Sequence, residues 1–265
     1  MSESLMPFIW VALTLPILMI TQRWIHRHLQ GIAFLATGRK SWAIILYAII
    51  LFPGVLLHEL SHWLMAGILG VKTGAFSVLP KLKPDGSIQL GYVEYYKSQR
   101  LGPIRESLVG SAPLISGTAV VLLLAFRIFN VTTFGEALQT GDAAILIEAV
   151  NMLFATGDFL LWLYLLFAIS NAMMPSASDR RAWPAFIFIM IITALVLYIL
   201  GLQELLLLGL AGPVATVFGY LALAFSLIIG VNLFAMFILY FVEWILSRIK
   251  GVDLVYSKTD IPPAS

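Results

Sequence analysis

Cysteine is absent from the 265 residues. That excludes disulfide scaffolds, thiolate nucleophiles and cysteine-bound metals, so any metal must be held by histidines and carboxylates. Charge is scarce too: 11% of residues are charged, and the net charge of +2 comes from dispersed lysines and arginines. A charge this small and scattered excludes a nucleic-acid surface, and the basic residues read instead as topology signals. The first apolar run follows Met1-Ser-Glu-Ser4 with no basic start and no small-residue cleavage site. It is expected to stay in the chain as a span. What the sequence has in abundance is apolar surface, with 60% hydrophobic residues and a mean hydropathy of +0.96. These values lie outside the range of soluble domains and give an integral, multi-pass membrane protein whose main surroundings are the lipid bilayer.

About 20 apolar residues in helical form cross a ~30 Å hydrocarbon core. On that rule the fold class is an all-α polytopic membrane protein of about six transmembrane helices, near 6–22, 42–70, 108–126, 159–175, 183–200 and 213–246. Residues 142–156 read as a short interfacial or partly buried helix, because Glu148 interrupts them and Gly157-Asp158 ends them. Six crossings put both termini on one side. Lysines and arginines then divide eleven to five, in favour of a cytoplasmic side holding 71–107, 176–182 and the C-terminal tail. Segment 71–107 alternates apolar and polar residues around Lys83-Pro84-Asp85-Gly86. This is a β-hairpin signal, placing an insertion at about 75–95 after the second helix. Its open edges cannot face lipid, so it must pack on the bundle, lie at the interface or accept another strand.

Inside the second apolar run stands His58-Glu59-Leu60-Ser61-His62. On a helix, histidines four apart project from one face a turn apart, where both imidazoles reach a single Zn2+. Glu59, offset by one residue, falls beside the metal and suits a general base that takes a proton from zinc-bound water and delivers one to a leaving amine. Ionisable groups are costly in the middle of a span, and they usually mark function there. A catalytic zinc normally takes three protein ligands. His26 and His28 lie in the basic connection after span one, on the far side in the six-span arrangement, so a carboxylate at the end of another span is wanted. Asp179, in Asn171-Ala-Met-Met-Pro175-Ser-Ala-Ser-Asp179, has that position, although a solvated aspartate paired with Arg180 or Arg181 would look the same. Pro53-Gly54, a turn before His58, reads either as a helix opening or as a packing contact.

Together these residues resemble the site-2 proteases, zinc metalloproteases that cleave substrates within the membrane. That family carries HExxH on one helix and an Asn-x-x-Pro…Asp-Gly element on a later one, and the eight-residue interval from Asn171 to Asp179 agrees with it. The resemblance covers roughly 42–182, as a catalytic core between an N-terminal helix with its basic connection (1–41) and C-terminal helices with a short tail (183–265). It implies His58, His62 and Asp179 as metal ligands, Glu59 as the base, Asn171 as a substrate-binding contact, and the β segment as the place where substrate is presented as a strand. The sequence departs from the pattern at Pro175, one residue late, at Arg180, where the family has Gly, and in Gly110-Ser-Ala-Pro113-Leu-Ile-Ser116, a loose version of a small-residue motif on the middle helix. The expected function is hydrolysis of peptide bonds in membrane-anchored protein substrates by a zinc metalloendopeptidase whose active site lies near the cytoplasmic side. The alternative is a non-catalytic relative serving as an adaptor in a membrane complex. A metal transporter would need more paired intramembrane charges than the chain has.

Overall fold

The computed structural model describes residues 2–82, 88–89, 91–95, 102–202, 204 and 210–256. Helices dominate: α1 (Ser2–Thr37), α2 (Lys40–Ile68), α3 (Pro103–Arg127), α4 (Val131–Thr140), α5 (Ala143–Phe154), α6 (Phe159–Ala172), α7 (Trp183–Ile199) and, after a π-helical turn at Leu210–Val214, α8 (Ala215–Lys250). Between α2 and α3 lie four short strands, β1 (Thr73–Ser77), β2 (Lys81–Leu82), β3 (Ile88–Gln89) and β4 (Tyr92–Tyr95). β1 pairs with β4 and β2 with β3, both antiparallel. The expected turn at Lys83-Pro84-Asp85-Gly86 lies outside the described residues.

Four helices, α1, α2, α3 and α8, are long and apolar enough to cross a membrane, and α5 with α6, bent by 86°, makes a fifth candidate as a pair. Two of the six expected spans are therefore short helices, α6 with 14 residues and α7 with 17. The segment after residue 22 is not a connection. It continues α1 to Thr37, giving a helix of 36 residues, about 54 Å at 1.5 Å per residue and longer than the hydrocarbon core alone requires.

Side chains are arranged as lipid demands and water does not. Leu13, Ile17 and Ile20 of α1 are about half exposed or more, and none of the 17 residues of α7 is buried. Thr21, Gln22, Glu59, His62, Ser170, Asn171 and Asn232 are all buried inside the bundle. Around them packs an apolar core that joins Leu18 of α1, Val121 of α3, Ile169 of α6 and Phe225 and Ile228 of α8. Polar groups inside and apolar groups outside are the signature of a chain that satisfies its hydrogen bonds internally.

Pairing between helices fixes their directions. Along α1 and α8 the contacts advance together: Phe8 with Phe218, Trp10 with Ser226, Thr21 with Asn232 and His28 with Glu243. The two helices run parallel. α6 runs parallel to α2, through Gly54 against Ala168 and His58 against Ala172, and antiparallel to α3, through Gly117 against Met173 and Gly110 against Asp179. Six successive crossings would set the first and last helices antiparallel, which this order does not allow.

Candidate metal centre

Helix α2 carries His58 and His62 one turn apart, and its end is a defined stop: Gly70 takes φ +69, with Val71 N–H donating to Ala66 O at 2.8 Å and Gly70 N–H to Gly67 O at 3.1 Å. This is the six-to-one and five-to-two pairing of a left-handed C-terminal cap, open to glycine without steric cost. It turns the chain from the histidine helix directly into β1.

The side chains of His58, His62 and Asp179 converge. Nε2 of His58 and Nε2 of His62 are 3.2 Å apart, and Asp179 brings Oδ1 to 3.3 Å from His62 Nε2 and Oδ2 to 3.7 Å from His58 Nε2. Four-coordinate zinc at ~2.0–2.1 Å from each donor implies donor–donor edges of about 3.3 Å. The His58–His62 and His62–Asp179 separations match that edge, while the His58–Asp179 contact is longer and uses the other carboxylate oxygen, so the three groups converge as a metal site with each imidazole facing its own oxygen. The rings are oriented from behind. His58 Nδ1–H donates to Ala172 O at 2.6 Å, and His62 Nδ1–H donates to Val109 O at 2.9 Å. A carbonyl can only accept, so each proton sits on Nδ1 and each Nε2 turns a lone pair toward the other and toward the carboxylate. Such a cluster is stable only with positive charge at its centre, a proton or a metal. Among the described residues this is the one group of three or more candidate ligands that could hold a metal ion.

Asp179 is held by its own loop. Ser176 donates to Oδ2 from its backbone N–H at 2.7 Å and from its hydroxyl at 2.6 Å. Burial alone would raise its pKa, but once the imidazole pair carries positive charge, its hydrogen bonds and that of Ser176 outweigh burial and hold the carboxyl well below the usual range. The group is ready to ligate as the anion. Arg180 does not compete for it, since its Nε donates to Ser176 O at 3.3 Å. The loop's approach depends on a missing side chain: a Cβ at Gly110 of α3 would collide with the carbonyl oxygen of Asp179. Gly54 of α2 does the same for α6, where a Cβ would collide with Ala168 O. Pro53-Gly54 is thus a packing contact, and the small-residue stretch beginning at Gly110 is where the ligand loop rests.

Glu59 is 8% exposed and lies beneath the strand segment. A Cβ at Gly91, immediately before β4, would fall 2.6 Å from Glu59 Cγ and 2.8 Å from Oε1. The backbone at Gly91 therefore lies directly on the expected base. Asn171 is placed differently from the others. Its Nδ2 gives both protons away, to Phe167 O at 2.9 Å and to Asn232 Oδ1 at 3.0 Å, while its buried Oδ1 has no partner among the described residues. Asn232 continues the chain to Thr21 Oγ1 at 3.2 Å.

His26 does not lie on the far side of the membrane from the motif. Its Nε2 reaches Asn171 O at 3.0 Å, one residue before the carbonyl that holds His58. Continuation of α1 past residue 22 is the reason. The detectable signal was Gln22 and His26 at i, i+4 on one helical face, obscured by the interleaved Arg23 and Arg27. His28 is separate from the centre, bonded to Glu243 at 2.5 Å and stacked on Trp24. No protein-family model, curated protein or solved structure matches the chain.

Proposed function

We propose that the protein is a zinc metalloendopeptidase of site-2-protease type, hydrolysing peptide bonds of membrane-anchored protein substrates inside the bilayer. The observation that carries this reading is the convergence of His58 Nε2 and His62 Nε2, 3.2 Å apart, on the Asp179 carboxylate, whose Oδ1 lies 3.3 Å from His62 and whose Oδ2 lies 3.7 Å from His58, beside a buried Glu59. His58, His62 and Asp179 would hold the zinc, which would supply the charge that polarises a scissile carbonyl and lowers the pKa of water toward neutral pH.

The remaining work falls to the chain. Glu59 accepts the proton of the attacking water and returns it to the leaving nitrogen. Three protein ligands, here His58, His62 and Asp179, is the number that catalytic zinc sites use while keeping a position open for water or substrate. A substrate helix must unwind to expose a peptide bond, and its freed amides need partners in a medium that offers none. The strand segment beside Glu59 presents backbone groups for that purpose. Asn171 has only its Oδ1 left to give, so its contribution to a substrate backbone is to accept an N–H.

In this reading the chain crosses the membrane five times, through α1, α2, α3, the bent α5–α6 pair and α8, which gives α1 and α8 the same direction. The C-terminal tail then leaves the side it was assigned by six crossings. The basic residues of the tail move with it, Arg23 and Arg27 lie within α1 rather than in a connection, and charge no longer selects a cytoplasmic face for the centre.

Cleavage of a membrane-anchored reporter by purified protein in lipid tests the activity. Wild type is expected to cleave, and Glu59→Gln to lose at least ~100-fold in rate while keeping its zinc, as removal of a general base implies. Equal product from the two proteins would defeat the assignment.

A further inference from the structure

The end of α6 is an unusual helix terminus, because its last carbonyls are taken one after another by side chains from other helices. Ser170 O accepts from Gln22 Nε2 at 2.7 Å, Asn171 O from His26 Nε2 at 3.0 Å and Ala172 O from His58 Nδ1 at 2.6 Å. The sequence explains why two of them are free. The residue four beyond Asn171 is Pro175, which has no N–H to give. The residue four beyond Ala172 is Ser176, whose N–H is spent on Asp179 Oδ2. Terminal carbonyls inside a lipid-facing bundle must find donors elsewhere.

We infer that His26, supported by Gln22 and Tyr47, is a positioning residue for the metal centre: it bolts the end of α6 to α2 and so fixes the carbonyl that orients His58. The inference rests on the zinc reading above. Its geometry is specific. Asn171 O can only accept, so His26 Nε2 carries the proton, and His26 Nδ1 takes the Tyr47 hydroxyl hydrogen across 2.7 Å. Tyr47 lies on the helix that carries both histidine ligands, and Asn171 begins the segment that reaches Asp179. One partly buried imidazole thus ties together the two elements that must meet at the metal. Without it, Asn171 O has lost its donor, the last turn of α6 is left with its bonds to Gln22 and Asn232, and Ala172 O shifts relative to His58. Asp179 shifts in turn, because its loop starts from that turn.

The test compares wild type, His26→Phe, His26→Gln and Tyr47→Phe in lipid nanodiscs, each checked for monodispersity and helical content. Zinc affinity is read by chelator competition, and site geometry by the visible spectrum of the Co2+-loaded protein at saturation. Phenylalanine keeps the ring and removes both hydrogen bonds, whereas glutamine keeps a donor at the Nε2 position. We expect His26→Phe to bind zinc roughly tenfold more weakly or worse, the scale on which outer partners of metal ligands act, and to shift the Co2+ bands. His26→Gln should return to within about threefold of wild type on the same scale. Tyr47→Phe should weaken binding in the direction of His26→Phe, and it carries the test alone if His26→Phe does not fold. Wild-type affinity and spectrum in His26→Phe, or in Tyr47→Phe if that variant stands alone, would overturn the inference and leave the zinc reading intact. A glutamine variant as weak as the phenylalanine one would also overturn it. Wild type that binds no zinc would remove the zinc reading, and this inference with it.

Discussion

Glu59 has Gly91 against it, and the contact is close enough for one methyl group to matter. The added carbon would fall 2.6 Å from Cγ, so either the strand lifts or the carboxylate turns. A base displaced by about 1 Å can lose ~100-fold in rate. Gly91→Val is therefore expected to cut reporter cleavage by roughly that factor while leaving zinc content unchanged, because His58, His62 and Asp179 take their support elsewhere. Zinc analysis alongside single-turnover cleavage checks it, and a valine variant as fast as wild type would refute the contact's importance. At this scale the sequence was informative where chemistry follows from spacing. Two histidines four apart on a helix must share a face, and Asp179 followed from the need for a third ligand at the end of another span. Gly91 was hidden, since nothing in a strand pattern tells which glycine lies against a distant helix. Asn171 was assigned to substrate by resemblance; its amide protons go to Phe167 and Asn232, and its Oδ1 is the atom without a partner among the described residues.

At the level of elements, three helices meet the centre through absences. Gly54 lets α6 rest its backbone on α2, Gly110 lets the Asp179 carbonyl rest on α3, and Gly117 accommodates Met173. Close backbone approach through small residues is the usual way for helices to associate in lipid, where apolar burial gives no net drive. Gly110→Leu puts a branched side chain where the ligand loop must lie. It is expected to lower zinc affinity at least ~10-fold, as loss of a ligand's support does. Leucine at Gly67, which faces open space on α2, should have no such effect. Equal affinities for the two variants would contradict the packing argument. The sequence revealed these helices as apolar runs; around the interval where it implied one hairpin there are short strands paired β1–β4 and β2–β3, with the connecting turn outside the described residues. It did not reveal that α1 belongs to the centre. Basic residues at 23 and 27 looked like the end of a span, yet a helix of 36 residues keeps its arginines and still carries Gln22 and His26 inward.

For the whole molecule, the parallel course of α1 and α8 is the decisive feature, because hydrophobic runs can be counted from a sequence but their directions cannot be seen. Two short helices, α6 and α7, look like spans by composition and differ only in length and packing. The five crossings proposed would put the termini on opposite sides, and the absence of native cysteine makes this easy to test. Single cysteines at Ser2 and Asp253 should respond oppositely to a membrane-impermeant reagent in oriented vesicles. Matching responses would restore an even number of crossings. The central claim is that the buried polar group of α2 and the loop after α6 form one zinc site, and metal analysis tests it most directly. Protein purified without added chelator should hold one zinc per chain, falling to less than about a tenth in His58→Ala and His62→Ala at the same protein concentration, as expected when one of three ligands is removed. Wild type with far less than one zinc, or alanine variants that keep it in full, would contradict the account.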